Sequence, residues 1–163
     1  MLSKPVQDAV NEQIKNEIQS AYLYLAMGGW CEGKSYPGMA KWLRVQWQEE
    51  LNHALKLFDF LYDRGGQVVL QALEKPKADF ASPRDVFEHV YAHEQKVTAL
   101  IHRLYDLAVK ENDHATQVEL QWFIKEQVEE EKNAAAIVEQ LKMAGESGPS
   151  LLMMDRALSA RSS

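Results

Sequence analysis

A single cysteine, Cys31, stands in this chain of 163 residues, which excludes an internal disulfide and any cysteine-rich metal site. So thiol-poor a chain fits a reducing compartment, with Cys31 packed as a small apolar residue. Basic charge is also scarce: 18 Lys and Arg face 24 Asp and Glu, for a net charge of -6. A nucleic-acid binder usually carries a basic footprint, so no nucleic-acid partner is expected. No apolar run approaches the ~18 residues that a membrane span requires. The opening M-L-S-K-P-V-Q-D-A-V lacks a basic segment followed by an apolar stretch, so it does not read as a signal peptide. The expectation is a cytoplasmic protein with no membrane partner.

Proline is sparse, and four of its five positions (Pro5, Pro37, Pro83 and Pro149) suit the first turn of a helix. Glycines Gly33, Gly65, Gly66, Gly145 and Gly148 suit helix ends. These marks divide the chain into five helices at about 5–32, 36–64, 83–111, 113–144 and 149–160. Ser82 reads as an N-cap, with Asp85 in the first turn behind it. One all-α domain over residues 1–163 is expected.

Each long helix carries a stripe at three-four spacing. The first runs Val10, Gln13 or Ile14, Glu17, Ala21, Tyr24, Gly28, and the second Met39, Leu43, Gln46, Glu50, His53, Leu57, Phe60. The third runs Phe87, Val90, Glu94, Val97, Ile101, Leu104, Ala108, and the fourth Leu120, Phe123, Gln127, Glu130, Ala134, Ile137, Leu141. Residues 65–82 show no helical pattern. A 25-residue helix is about 38 Å long, and an extended chain of this crossover's length reaches about 60 Å. The crossover can therefore span the bundle and make the second and third helices parallel. The two short connections make antiparallel neighbours. One long crossover in a four-helix bundle is the ferritin-like topology.

An acid interrupts every stripe near its middle: Glu17, Glu50, Glu94 and Glu130. His53 follows Glu50 by three, so both lie on one helix face, and Gln127 precedes Glu130 by the same step. Four buried carboxylates repel one another and raise each other's pKa values. Two divalent cations would neutralise them, with His53 adding a neutral nitrogen. Metal binding should then release protons.

The segments N-E-I-Q-S-A-Y-L-Y-L-A-M (16–27), Q-E-E-L-N-H-A-L-K-L-F-D-F (48–60), A-H-E-Q-K (92–96), W-F-I-K-E-Q-V-E-E-E (122–131) and D-R-A-L-S-A-R (155–161) carry a wider likeness. Through them the chain resembles the prokaryotic non-haem ferritins over nearly its whole length. The resemblance implies a ferroxidase that oxidises Fe(II) with O₂ or H₂O₂ and stores the Fe(III) mineral. It implies a first iron site of Glu17, Glu50 and His53, and a second of Glu94 and Glu130. Glu50 would bridge them, with Gln127 beside the pair. A third iron site toward the interior would use Glu49, Glu126, Glu129 and shared Glu130. Tyr24 would be a one-electron donor, and Trp122 a weaker one. Trp30, Trp42 and Trp47 read as packing.

Two departures from the haem-binding relatives matter. The second pair is Gln127-x-x-Glu130 rather than Glu-x-x-His, and Leu51 stands where those proteins carry a haem-ligating methionine. Leucine offers iron no donor atom, so no haem is expected. The resemblance further implies a homo-oligomeric hollow shell of 24 copies. The apolar side chains of the short last helix, Leu151, Leu152, Met154 and Leu158, would then meet another subunit. His114 and Glu119 are candidates for lining its pores.

Two other readings fit the same helices. A di-metal oxygenase or peroxidase would use the bundle without a shell, and a metal-free helical interaction module would not bind Fe(II) saturably. A miniature ferritin fits less well, because its ligands lie at a dimer interface and this chain supplies a set within one bundle.

Overall fold

The computed structural model describes residues 1–162. Five helices follow one another: α1 (Lys4–Gly33), α2 (Pro37–Asp63), α3 (Pro83–Lys110), α4 (His114–Ala144) and α5 (Gly148–Leu158). Proline occupies the first turn of α1, α2, α3 and α5, where a missing N–H leaves no helical bond unmade. The Ser82 hydroxyl accepts from the Asp85 amide (3.1 Å), while the Asp85 carboxylate accepts from the Ala81 amide (2.9 Å). Asp113 caps α4 by accepting from the Thr116 amide at 3.0 Å. Its carboxylate also takes two hydrogen bonds from Arg64, at 2.8 and 3.1 Å, which tie the end of α2 to the start of α4.

α1 packs on α2, α3 packs on α4, and α1 meets α3 across the bundle. The crossover from α2 to α3 has no helix or strand of its own, and side-chain amides of α1 satisfy its backbone. Gln7 Oε1 accepts from the Gln67 amide (3.0 Å) and Asn11 Oδ1 from the Val69 amide (2.8 Å). Asn11 Nδ2 donates to the Gln67 carbonyl (2.9 Å), and Gln19 both donates to and accepts from the Glu74 backbone. Phe80 then meets Trp30 edge to face, at 6.0 Å between ring centres. The segment thus climbs α1 from Gln7 to Trp30, and α3 begins at the end where α2 began. That makes α2 and α3 parallel.

The stripes face the core as their spacing requires, with one shift. Leu61 is fully buried, whereas Phe60 is only half-buried. A 3.6-residue turn carries the buried face from Leu57 to the position four residues on rather than three.

The core is split in two. One apolar cluster gathers around Tyr24, Met27, Leu43, Phe87, Val90 and Leu141, with Leu151 and Leu158 of α5. The other gathers around Val10, Ile14, Leu57, Leu61, Ile101 and Phe123. Burying each of the large aliphatic side chains contributes about 1.5–3 kcal/mol. The interrupting acids fall, in sequence along every long helix, between the members of these two clusters.

Candidate metal centre

Glu17, Glu50 and Glu94 keep 1%, 2% and 1% of their surface exposed, and His53, Gln127 and Glu130 are buried too. α1, α2, α3 and α4 each deliver one of the four acids. His53 Nδ1 lies 3.6 Å from Glu50 Oε2 and 3.9 Å from Glu17 Oε2. Glu17, Glu50 and His53 can bring one ligand atom each within 4.8 Å of the others. His53, Glu126 and Glu130 form a second such triad that shares the imidazole. Glu94 of α3 belongs to neither triad. It accepts a hydrogen bond from the Tyr24 hydroxyl and one from Gln127 Nε2 at 3.1 Å.

Glutamines hold the acids in place. Gln13 Nε2 donates to Glu17 Oε1 at 2.8 Å. Gln46 Nε2 donates to Glu50 Oε1 at 3.0 Å and to Glu130 Oε2 at 2.9 Å, linking α2 with α4. Among the described residues, Glu17 Oε2 and Gln46 Oε1 are buried without a hydrogen-bond partner. An unpartnered buried acceptor costs about 1–3 kcal/mol, and a cation held by Glu17, Glu50 and His53 would satisfy the Glu17 oxygen. The donor set, oxygens with one imidazole nitrogen, suits a first-row divalent ion.

Electrostatics agrees. Burial, then the charge of Glu50, pushes Glu17 well above the usual carboxylate range. Burial, then the charge of Glu94, raises Glu50 likewise and lifts Glu130 to about 8. Glu94 is raised by burial, against the opposing hydrogen bonds from Tyr24 and Gln127. Burial, then the Glu94 charge, holds the Tyr24 phenol well above its ordinary value. Burial and mutual repulsion thus favour the protonated acids, a shift that a bound cation would oppose.

Of the acids expected at an inner third position, Glu126 falls beside His53 and Glu130, while Glu129 is exposed and joins neither triad. Glu49 is half-buried and accepts a hydrogen bond from Arg161 Nη2 at 2.6 Å. Trp122 is 41% exposed and lies edge-on to His53, at 5.3 Å between ring centres. Glu119 pairs with Lys56 at 3.0 Å, and His114 opens α4. The sequence alone places Gln13 and Gln46 on the buried stripes but gives them no role at the site. Their signal is there in retrospect: each lies four residues before its glutamate, a step that stacks side chains on one helix face.

A four-helix bundle whose long helices each contribute a buried acid, with a histidine one turn from one of them, has the arrangement of the ferritin-like di-metal carboxylate proteins. The family model described as Ferritin-like domain matches residues 7–144. The bacterial non-heme ferritin of Bacteroides fragilis is 40% identical over 161 residues, covering 99% of this chain and 100% of that protein. That of Escherichia coli O157:H7 is 38% identical, covering 98% and 96%. The open-pore ferritin of the hyperthermophilic archaeon Archaeoglobus fulgidus superposes with a TM-score of 0.98 at 49% identity, over 99% of this chain and 100% of that one. The chain belongs to the ferritin family.

Proposed function

We propose that Glu17, Glu50 and His53 hold one Fe(II) and that Glu94 and Glu130 hold a second, with Glu50 shared and Gln127 beside them. The protein is an iron-storage ferritin of the non-heme type, and it oxidises Fe(II) as a ferroxidase. The observation that carries the site assignment is the convergence of four buried acids on His53, with Glu17 Oε2 left unpartnered.

Iron is substrate here. Burial raises the pKa of Glu17, Glu50, Glu94 and Glu130, so iron binding should release protons. Oxygen donors favour Fe(III) over Fe(II) and so make oxidation easier. Each iron gives up one electron, and the pair reduces O₂ to peroxide or peroxide to water. Gln13, Gln46 and Gln127 orient the acids, and dry packing above and below keeps the carboxylates from splaying into solvent. The contact of Tyr24 with Glu94 supports its reading as a one-electron donor during oxygen reduction.

The proposal extends to the product. Glu126, in the second triad, would give Fe(III) a first step away from the paired site, toward an inner third position completed by Glu49, Glu129 and shared Glu130. One ferritin-like domain over 1–163 assembles into a closed shell of 24 copies, without haem because Leu51 offers no ligand, and resides in the cytoplasm. Aerobic titration with Fe(II), followed by absorbance and by particle size together, tests this reading. Saturable oxidation on a particle of about 450 kDa, the mass of 24 chains of 18.6 kDa, is the expected result. Oxidation on a dimer points to a di-metal oxygenase instead, and no absorbance change in air refutes the site.

A further inference from the structure

The C-terminal segment after α5 returns to α2 and ends on the acid next to the bridging glutamate. Arg161 Nη2 donates to Glu49 Oε2 at 2.6 Å, and Arg161 Nη1 donates to the Trp42 carbonyl at 3.4 Å. The guanidinium carbon sits 4.3 Å from the centre of the Trp42 ring. Trp42 is buried and packs edge-on against Phe87, so this platform is fixed. Lys41 Nζ donates to the Ser159 carbonyl at 2.9 Å and holds the same segment down. A planar, weakly hydrated guanidinium is suited to stacking on an indole while pairing with a carboxylate.

We propose that Arg161 is a built-in counter-cation for Glu49, which competes with a metal ion for that carboxylate and so sets how readily iron passes from the paired site toward the interior. The proposal rests on the reading of Glu49 as an iron ligand. Glu49 follows Gln48 and precedes Glu50 on α2, and its charge is felt at Glu130. Its carboxylate already has a cation partner in Arg161. Arg161 and Glu49 keep 20% and 34% of their side-chain surface exposed, so an arriving ion can displace the guanidinium without disturbing the core. A divalent ion on Glu49 would repel the arginine, and the segment beyond α5 would loosen as the third position fills. Arg161 acts as a positioning residue: it touches Glu49 and does not itself take iron.

The test uses Zn(II), which binds such donors without redox chemistry, titrated by calorimetry into the assembled protein. Removing the charge of an ion pair this exposed is expected to tighten the third ion about fivefold in R161Q, with the first two ions unchanged. R161K keeps the charge and should stay within about twofold of the parent. E49Q should lose the third ion altogether. If E49Q still takes up three ions per chain, the reading of Glu49 as a ligand fails. If E49Q loses the third ion but R161Q binds it no more tightly, the competition is refuted while that reading stands. Hydrogen exchange on the unaltered protein gives an answer that needs no variant. Amides of residues 156–161 should exchange faster once the third ion binds, though not with the first two, and unchanged protection at saturation overturns the proposal.

Discussion

On the proposed assignment Glu50 serves both metal positions, so its loss should be the most damaging single change. Glu50→Ala is expected to slow the initial oxidation of Fe(II) in air by more than about a hundredfold, as followed by stopped-flow absorbance. Gln46→Ala removes only an orienting donor and should cost about tenfold, the lower end for partners of metal ligands. Equal losses in the two variants would mean that the glutamate is not shared. Protonation gives an independent handle. Glu130 has its pKa raised to about 8 by burial and neighbouring charge, from an ordinary value of 4.5. The folded chain therefore binds more protons than the unfolded chain between those values. Without metal, its stability is full below the lower value and falls as pH rises through the upper one. Urea midpoints measured at about pH 5 and about pH 8.5 should show that loss, and Glu130→Gln should flatten it. Zn(II) binding near neutral pH should in turn release protons, visible as a dependence of the calorimetric heat on the buffer's ionisation heat.

At the scale of elements, α5 is fixed by a cap borrowed from a distance. Asp155 is buried and accepts from the amides of Gly38 and Met39, at 3.1 and 2.8 Å, where α2 has no capping side chain of its own. A carboxylate at a helix N-terminus also meets the positive end of its dipole. Asp155→Ala should cost about 1–2 kcal/mol, read as a lowered denaturant midpoint and faster amide exchange in α5. Gly38 is required for closeness rather than for its torsion angles: a Cβ there would come within 1.8 Å of the Asp155 carbonyl oxygen. Gly38→Ala should therefore undock α5 as well, and wild-type protection of α5 in that variant would contradict the docking described. The helices themselves were legible in the sequence because proline, glycine and three-four spacing act locally. The role of Asp155 was not, since its partners are more than 100 residues away along the chain. The crossover was legible only as a length. That Gln7, Asn11 and Gln19 would satisfy its backbone depends on where α1 lies beside it, which no local pattern records.

For the whole molecule, the exposed side chains of α5 carry the expectation of a shell. Leu152 and Met153 are 54% and 73% exposed, while Leu151 and Leu158 of the same helix are buried. Leu151 and Leu158, with Met154 packed beside them, therefore close their own subunit rather than meeting another as expected, and Leu152 and Met153 are the side chains of this helix left to make such a contact. Replacing both Leu152 and Met153 with Glu should yield folded but smaller particles by light scattering, because charges would be buried unpaired at the contact. A full-sized shell from that variant would place the contact elsewhere.

The sequence by itself determined the four acids, the histidine one turn from Glu50 and the helices that carry them. These follow from periodicity, and periodicity is a property of neighbours in the chain. It could not decide that Gln46 joins Glu50 to Glu130, that Glu126 turns toward His53 while Glu129 faces outward, or that Arg161 reaches Glu49. Those pairings depend on the rotation and offset of whole helices against one another. Packing of side chains distant in sequence fixes that rotation, and only the folded bundle brings them together.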